Sequence, residues 1–427
     1  MNFIAKIKDI LNSNDFTKNI LIIFSGSVMA QFLPLIAMPF LSRLYSPSEY
    51  GVFGLYLSIG TIISAVATLR YSHAIQISKS IHDSFLLLRF CIVLIAAFSM
   101  LTLIVLSVFY FSFSDLLGID KIGKIVFTLP LFVLFSGLNE VLLIWLNRNK
   151  NFKYISYNRI LNSTINITVS LLWALIIDHS SKGLIFGLLS GQMISTLFMF
   201  HKSHKESRFH ISFDRVVLKN ILYEFKHFPI YSLPSDLINV VTNQLPVLLL
   251  SKFGTVTEVG YYNMSNRILG LPTFFISSSI GEVFRQRATE DFHKNGSCLP
   301  IFNSTFKMLG LLGILPFLIV GLFGPWLFSF FLGEEWKEAG EYSQIFAVLF
   351  YLRFIVSPLT YTFYIAGKQK TDFFVHILML VGTVIPFYYG LIIEKNIIMS
   401  LIIFSVSYSM IYILYFYFSK KFTNQNV

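Results

Sequence analysis

The sequence predicts an all-α membrane protein that crosses the bilayer about twelve times. Of its 427 residues, 55% are hydrophobic and only 13% are charged, whereas soluble domains carry about 25% charged residues. The mean hydropathy is +0.68. Its apolar runs are also long enough to cross the hydrocarbon core, which takes roughly 20 residues of helix.

Each predicted span is an apolar run with one charge or none. Eight contain no Asp, Glu, Lys or Arg: Asn19–Ser42, Tyr50–Leu69, Phe90–Ser114, Ile160–Ile177, Gly183–His201, Met308–Gly333, Phe373–Ile393 and Asn396–Ser419. Four are interrupted once: Ile125–Asn147 by Glu140, His227–Ser251 by Asp236, Val259–Gly281 by Arg267 and Tyr342–Gly367 by Arg353. A β-barrel is disfavoured, because its strands have about ten residues of alternating polarity.

The basic residues indicate which side of the membrane each loop faces. The termini and the loops on their side carry 21 Lys and Arg residues, whereas the opposite loops carry 7. Cytoplasmic loops of membrane proteins are enriched in Lys and Arg. We therefore expect both termini to be cytoplasmic, and we assign the net charge of +11 to topology rather than to nucleic-acid binding.

The two halves of the chain contain similar short sequences at corresponding positions. Glu49-Tyr50-Gly51 follows the first predicted span, and Glu258-Val259-Gly260 follows the seventh. The long polar loop Lys202–Lys226 separates six spans from six, so both halves enter the membrane from the same side. We therefore expect a parallel repeat of two six-helix lobes around a central cavity, with lobes at residues 1–201 and 227–427 and a cytoplasmic linker at 202–226.

Several segments resemble a known family. They are SRLYSPSEYGVFGLY (Ser42–Tyr56), LRYSHAIQISKS (Leu69–Ser80), FPIYSLPSDLINVVTNQLPVLLLSKFG (Phe228–Gly254), VGYYNMSNRILGLP (Val259–Pro272) and SSSIGEVFRQRATE (Ser277–Glu290). Together they resemble Wzx-type O-antigen and polysaccharide repeat-unit flippases. These proteins form the polysaccharide-transporter branch of the multidrug/oligosaccharidyl-lipid/polysaccharide flippase superfamily.

The resemblance implies a fold like that of the MATE drug transporters. It also implies that an undecaprenyl-pyrophosphate-linked oligosaccharide crosses from the cytoplasmic to the periplasmic leaflet of a bacterial inner membrane by alternating access. The cargo would then serve O-antigen, lipopolysaccharide or other polysaccharide biosynthesis. A polysaccharide polymerase and a chain-length regulator are the candidate partners besides membrane lipid, and H⁺ or Na⁺ is the candidate coupling ion.

Cations inside the spans are candidates for binding the anionic head of such a cargo. Arg267 lies about eight residues into its span, or roughly 12 Å, and Arg353 about eleven residues into its own. Either could instead form a structural ion pair or clamp helix carbonyls. Lys307 and Arg159 lie nearer the cytoplasmic ends of their spans, where snorkelling to the surface is the alternative.

Acids and polar groups complete the candidate site. Glu140 and Asp236 are candidates for a coupling proton or cation, or for pairing with an Arg. The amides predicted to line the cavity and contact sugar hydroxyls are Gln31, Asn239, Asn243 and Gln244. The prolines predicted to bend corresponding helices of the two halves are Pro34, Pro39, Pro234 and Pro246. Ordinary packing is the alternative for the amides and the prolines.

Other function classes fit the sequence less well. Its two cysteines, Cys91 and Cys298, have no metal-ligand spacing, and there is no Walker A motif, so no cofactor is expected. A polysaccharide polymerase or glycosyltransferase would usually need a large outer loop, whereas every predicted outer loop is short. A drug or cation antiporter on the same fold remains the main alternative.

Overall fold

The structure, a computed structural model, describes residues 32–117, 119–206 and 215–424. Within these ranges the chain is helical, and extended residues pair only at one isolated bridge between Ser297 and Asn424. Nine helices of the described ranges are long and apolar enough to cross a membrane. The prediction of an all-α, multi-pass membrane protein is therefore confirmed.

The first half of the chain contains eight described helices. They are α1 (Phe32–Leu44, as far as it is described), α2 (Pro47–Val66), α3 (Tyr71–Ile77), α4 (Ile81–Leu117), α5 (Leu129–Arg148), α6 (Phe152–Ile176), α7 (Ser181–Glu206) and α8 (Arg215–Glu224). Two 3₁₀ turns, Ile119–Lys121 and Gly123–Thr128, lead into α5.

The second half contains eight more. They are α9 (Leu233–Phe253), α10 (Val256–Pro272), α11 (Ser278–Asn295), α12 (Leu299–Leu332), α13 (Lys337–Leu359), α14 (Thr362–Ile365), α15 (Gln369–Tyr388) and α16 (Ile397–Lys421). A 3₁₀ turn, Glu334–Trp336, leads into α13, and wider π-helical turns lie at Phe228–Ser232, Thr273–Ser277 and Tyr389–Ile393. π-Helical turns are rare and are often found at functional sites.

The chain forms two compact units. One comprises Met1–Tyr45 and Tyr56–Val240, and the other comprises Ser46–Leu55 and Val241–Val427. Two of the boundaries between the two units fall within helices, one within α2, after Leu55, and one within α9, after Val240.

The first unit is built around a core of apolar side chains from α3, α4, α5, α6, α7 and α8. Phe85 of α4 and Trp145 of α5 are almost fully buried in it, with their ring centroids 5.9 Å apart. Leu218 and Ile221 of α8 belong to the same core. The expected linker is thus not a loop throughout, because its apolar residues three positions apart form one face of a helix that packs on this unit.

Arg148, the last residue of α5, links the end of α3 to the start of α4 by hydrogen bonds. Its guanidinium donates hydrogen bonds to the carbonyls of Ile75, Gln76, Ser78 and Ser80 at 2.7–3.3 Å. Arginine presents several donors in one plane, so a single side chain can satisfy carbonyls left unpaired at a helix end.

In the second unit, α10 begins with a capping box. The Thr255 hydroxyl accepts a hydrogen bond from the Glu258 amide, and the Glu258 carboxylate accepts one from the Thr255 amide. This arrangement satisfies two amides at the helix start, where no intrahelical acceptor exists. The glutamate of the second Glu-x-Gly copy therefore fixes where α10 begins.

The two Glu-x-Gly copies meet where the starts of α2 and α10 cross. A Cβ atom built on Gly51 would lie 1.7 Å from the carbonyl oxygen of Val256, and one built on Gly260 would lie 1.9 Å from that of Pro47. Only glycine permits such a close approach of two backbones. Tyr50 packs beside this crossing, edge-on to Trp336, with ring centroids 5.2 Å apart.

Candidate functional site

The second unit contains a polar pocket of about 200 Å³. It is lined by Thr242, Asn243, Gln244, Pro246 and Val247 of α9, Tyr262, Asn263 and Asn266 of α10, Leu349, Phe350 and Arg353 of α13, and Phe404, Tyr408 and Tyr412 of α16. We call it the Arg353 pocket. Polar groups that converge in a concave site on four helices are typical of a ligand-binding site.

Arg353 supplies the positive charge of this pocket. Its guanidinium lies over the Phe350 ring, 5.6 Å from the centroid, and acts electrostatically on the phenols of Tyr262 and Tyr408. No Asp or Glu of the described residues forms an ion pair with it or lines the pocket. No carboxylate of the described residues therefore competes with an anion for its guanidinium.

Aromatic packing holds the walls of the Arg353 pocket in place. Tyr262 packs edge-on to Phe346, with centroids 5.7 Å apart, and Phe404 packs on Tyr408 at 4.5 Å. The Tyr408 hydroxyl is also hydrogen-bonded to the Thr383 hydroxyl at 2.7 Å. These contacts fix the rings that surround the guanidinium.

Amide side chains give the pocket neutral donors and acceptors. Asn243 and Gln244 were predicted from the sequence, and the structure places both in the wall. The sequence analysis missed Asn263 and Asn266, whose spacing of three puts them on one side of α10. The Asn266 amide donates to the Tyr262 carbonyl at 2.8 Å, while the buried Asn263 Nδ2 has no hydrogen-bond partner among the described residues.

The structure does not bring the other predicted cations to this pocket. Arg267 follows Asn266 directly, but it is exposed on another face of α10, where it acts electrostatically on Tyr50. Lys307 is exposed on α12, and Arg159 is exposed on α6. Arg353 is exposed as well, but of the four predicted cations it is the one that lines a pocket together with the predicted amides Asn243 and Gln244.

The two predicted acids both bond to one short segment of the first unit. Glu140 accepts a hydrogen bond of 3.1 Å from the Ser72 hydroxyl. Asp236 forms an ion pair with Arg70, in which the Arg70 Nε atom lies 2.9 Å from the Asp236 Oδ2 atom. The N–H of this Nε atom is not aligned for a hydrogen bond. Leu69 and Arg70 have φ values of 48° and 62°. Consecutive non-glycine residues with positive φ are strained, which marks this break between α2 and α3 as a constrained element.

The remaining predicted residues are spread over α1 and α9, and Gln31 lies outside the described residues. Pro34 and Pro39 lie in α1, Pro234 lies in the first turn of α9, Asn239 is exposed on α9, and Pro246 is buried within α9 in the wall of the Arg353 pocket. Proline is tolerated in a first turn because its missing N–H would be unpaired there in any case. Nothing among the described residues groups three His, Cys, Asp or Glu side chains closely enough to hold a metal ion.

Comparison with known proteins places this structure in a family. The family described as polysaccharide biosynthesis protein matches residues 40–341, which is more than half of the chain. The chain belongs to that family. This member is also 21% identical over 248 residues to the succinoglycan biosynthesis transport protein ExoT of Rhizobium meliloti (strain 1021), a match that covers 58% of this chain and 48% of ExoT. The chain thus spans about half the length of that curated relative.

Solved structures show the same fold. An inward-facing MATE-family multidrug transporter superposes with a TM-score of 0.73 at 14% identity, covering 94% of this chain and 97% of the transporter. The lipid II flippase MurJ, in an inward closed conformation, superposes with a TM-score of 0.71 at 16% identity, covering 94% and 87%. At such identities the likeness establishes the fold alone.

Family and fold agree with the resemblance found in the sequence. This polysaccharide biosynthesis family member has the fold of the multidrug/oligosaccharidyl-lipid/polysaccharide flippase superfamily. The proteins that it resembles are transporters and flippases rather than enzymes. The chain is therefore a multi-pass membrane protein of the polysaccharide biosynthesis family with the fold of these proteins.

Proposed function

We propose that the protein is a flippase for an undecaprenyl-pyrophosphate-linked oligosaccharide, such as an O-antigen or related repeat unit. It carries the glycan from the cytoplasmic to the periplasmic leaflet of a bacterial inner membrane by alternating access, with both of its own termini in the cytoplasm. The family and the succinoglycan transport relative support a glycan as cargo. A polysaccharide polymerase and a chain-length regulator are the partners that would use the product.

The single observation that carries this proposal is the position of Arg353. A permanent cation stands in a polar pocket of the membrane domain without a carboxylate beside it among the described residues. Arg353 is exposed at this pocket, and charged residues within membrane spans usually face a watery cavity and serve a function, so such a group is expected to serve an anionic ligand. The guanidinium fork suits a phosphate because it donates two parallel hydrogen bonds to two oxygens.

The rest of the Arg353 pocket suits the glycan. The amides of Asn243, Gln244 and Asn263 can exchange hydrogen bonds with sugar hydroxyls, and Tyr408 and Tyr412 offer ring faces and hydroxyls. The polyprenyl tail needs no polar site and can remain in the lipid. A cation antiporter would be expected to place a carboxylate in such a pocket, and the described lining contains none.

The acids Glu140 and Asp236 are our candidates for coupling transport to a gradient of H⁺ or Na⁺. Binding of a cation to Asp236 would neutralise its pair with Arg70, whose guanidinium also lies 3.3 Å from the ring of His73. Because Arg70 stands in a strained turn, the loss of this pair would allow the segment between α2 and α3 to relax.

The test is transport in vesicles. The purified protein is reconstituted into liposomes with a labelled undecaprenyl-pyrophosphate-linked oligosaccharide, and the fraction of glycan reaching the opposite leaflet is followed with time. We expect Arg353→Ala to lower the initial rate roughly 10- to 100-fold, since a charge-assisted bidentate contact contributes about 1.5–3 kcal/mol. Arg353→Lys should recover only part of the rate, because it keeps the charge and loses the fork.

Lys337→Ala is the matched control, because Lys337 is an exposed cation on the same helix, α13. It should transport like the unmodified protein. If Arg353→Ala also transports like the unmodified protein, the phosphate-binding role is wrong. If liposomes with and without the protein flip the glycan equally while a cationic drug is exported, the protein is an antiporter and the flippase proposal fails.

A further inference from the structure

A second pocket, of about 300 Å³, lies in the same unit but at a different place. The π-helical turn Thr273–Ser277, the following α11 and the end of α13 form its walls. Seven of its ten lining residues carry a hydroxyl group. We call it the hydroxyl pocket. None of the sites considered above uses it.

The backbone of the π-helical turn shapes this pocket. The Ser278 amide donates to the carbonyl of Thr273, five residues back, instead of the usual four. On the opposite wall, Gly281 lies so close to Pro358 that an added Cβ would stand 3.0 Å from the proline Cβ. The widened turn and this close helix contact together leave a concave site beside them.

Three of the seven hydroxyls of this pocket already donate their protons to backbone carbonyls. Ser277 donates to the Phe354 carbonyl at 2.7 Å, Thr360 donates to the Ser357 carbonyl at 2.9 Å, and Ser278 donates to the Phe274 carbonyl. Their oxygens can still accept hydrogen bonds. The pocket is therefore suited to a ligand that is itself rich in donor hydroxyls.

A buried hydroxyl of this pocket lacks a hydrogen-bond partner in the described part of the chain. The Thr273 Oγ1 atom is buried, and no hydrogen-bond partner is found for it among the described residues. Buried polar atoms without partners are uncommon in folded proteins and call for an explanation. A polar ligand in this pocket would supply the missing hydrogen bond.

Arg285 and Tyr361 give the pocket a cation and an aromatic face. The Arg285 guanidinium lies 5.6 Å from the centroid of the Tyr361 ring, and Tyr361 stacks on Tyr364 at 5.8 Å. No carboxylate in the described part of the chain forms an ion pair with Arg285. The cation is thus held beside a ring face and is open to an anion.

From this combination we infer that the hydroxyl pocket binds a phosphoglycosyl group, meaning a sugar ring that bears a phosphate. Arg285 binds the phosphate oxygens, Tyr361 packs on the sugar ring, and Ser277, Ser278 and Thr360 accept hydrogen bonds from the sugar hydroxyls. This inference rests on the proposed flippase function and deepens it. Arg285 lies in a segment that the charge distribution assigns to the cytoplasm, so the pocket would receive the cargo before it reaches Arg353.

Binding to the full-length protein in phosphatidylcholine nanodiscs tests the inference. The probe is radiolabelled farnesyl-pyrophosphoryl-N-acetylglucosamine. We expect Arg285→Gln to raise its Kd about tenfold, as loss of a charge-assisted hydrogen bond implies. Tyr361→Leu should raise the Kd several-fold, whereas Tyr361→Phe, which keeps the ring, should bind nearly as the unmodified protein does.

Arg287→Gln is the matched control, because Arg287 is an exposed arginine of the same helix that does not line the pocket. It should leave the Kd within about twofold, provided that both arginine variants keep the melting temperature of the unmodified protein. N-acetylglucosamine 1-phosphate should compete with the probe, while phosphatidylglycerol should not. Equal competition by phosphatidylglycerol would show a lipid headgroup site and overturn the inference, as would equal Kd values for the two arginine variants.

Transport separates this inference from the proposed function. In the liposome assay, Arg285→Gln should raise the cargo concentration that gives half-maximal rate and leave the maximal rate unchanged, whereas Arg353→Ala should lower the maximal rate. Transport by the unmodified protein with no effect of Arg285→Gln would overturn the hydroxyl-pocket inference alone. Absence of transport by the unmodified protein would overturn the flippase function and with it this inference.

Discussion

The close backbone contact where α2 and α10 cross predicts that replacing either of two glycines will destabilise the protein. Replacing Gly51 by Ala adds a Cβ that would lie 1.7 Å from the Val256 carbonyl oxygen, and the same change at Gly260 places one 1.9 Å from the Pro47 carbonyl oxygen. Both obstacles are backbone atoms, which cannot rotate away as a side chain can. The two helices would therefore have to move apart by roughly 1.5 Å to restore ordinary contact.

The expected cost follows from that displacement. Overpacking a closely packed contact costs about 1–3 kcal/mol. The gain in helix propensity from Gly to Ala offsets up to about 1 kcal/mol of it. For a unit of this size, 1 kcal/mol lowers the melting temperature by roughly 2–4 °C. We expect each variant to melt about 2–8 °C lower than the unmodified protein.

Scanning fluorimetry of the purified protein in detergent measures this effect. Gly270→Ala is the control, because Gly270 lies on the same helix and its added Cβ would meet no heavy atom within 4 Å. It should leave the melting temperature unchanged or raise it slightly. The double variant Gly51→Ala/Gly260→Ala should cost less than the sum of the single variants, because both push apart the same crossing. If both single variants melt like Gly270→Ala, the close crossing does not exist.

Three further predictions concern other contacts. Arg148→Gln should destabilise the protein by about 2–3 kcal/mol in thermal unfolding, since four carbonyls lose a charged donor, whereas Lys150→Gln, on an exposed neighbour, should have no effect. Asp236→Asn should cost about 1 kcal/mol, because the ion pair is partly exposed, and adding Arg70→Gln should cost little more in a double-mutant cycle. Burial raises the pKa of Cys298 to about 11, so only about one thiol in a thousand is ionised at pH 8. Maleimide should therefore label Cys298 slowly in the folded protein and quickly after unfolding, and rapid labelling of the folded protein would contradict its burial.

The sequence determined the class of this protein and the positions of its helices. Because a membrane span needs roughly 20 apolar residues, composition and run length alone located the spans that the structure shows as helices. The exceptions are informative. α9 and α10 carry enough charges and amides that neither is among the nine apolar helices of the described ranges. Their amides Asn243, Gln244, Asn263 and Asn266 line the Arg353 pocket, whereas their charged residues do not. Amides within predicted spans therefore drew attention to the region in which the structure forms the Arg353 pocket.

Only the tertiary structure decided which polar groups stand together. Arg267 and Arg353 look alike in the sequence, yet one lies outside the Arg353 pocket and the other lines it. Tyr408 and Tyr412 enter the same wall from a helix that contains only apolar and hydroxyl-bearing residues through its middle. The physical reason is that lipid and protein interior are both apolar, so the hydrophobic pattern of a spanning helix does not tell which face is inside. The sequence thus determines where a chain crosses the membrane, while helix packing determines which charges and hydroxyls meet.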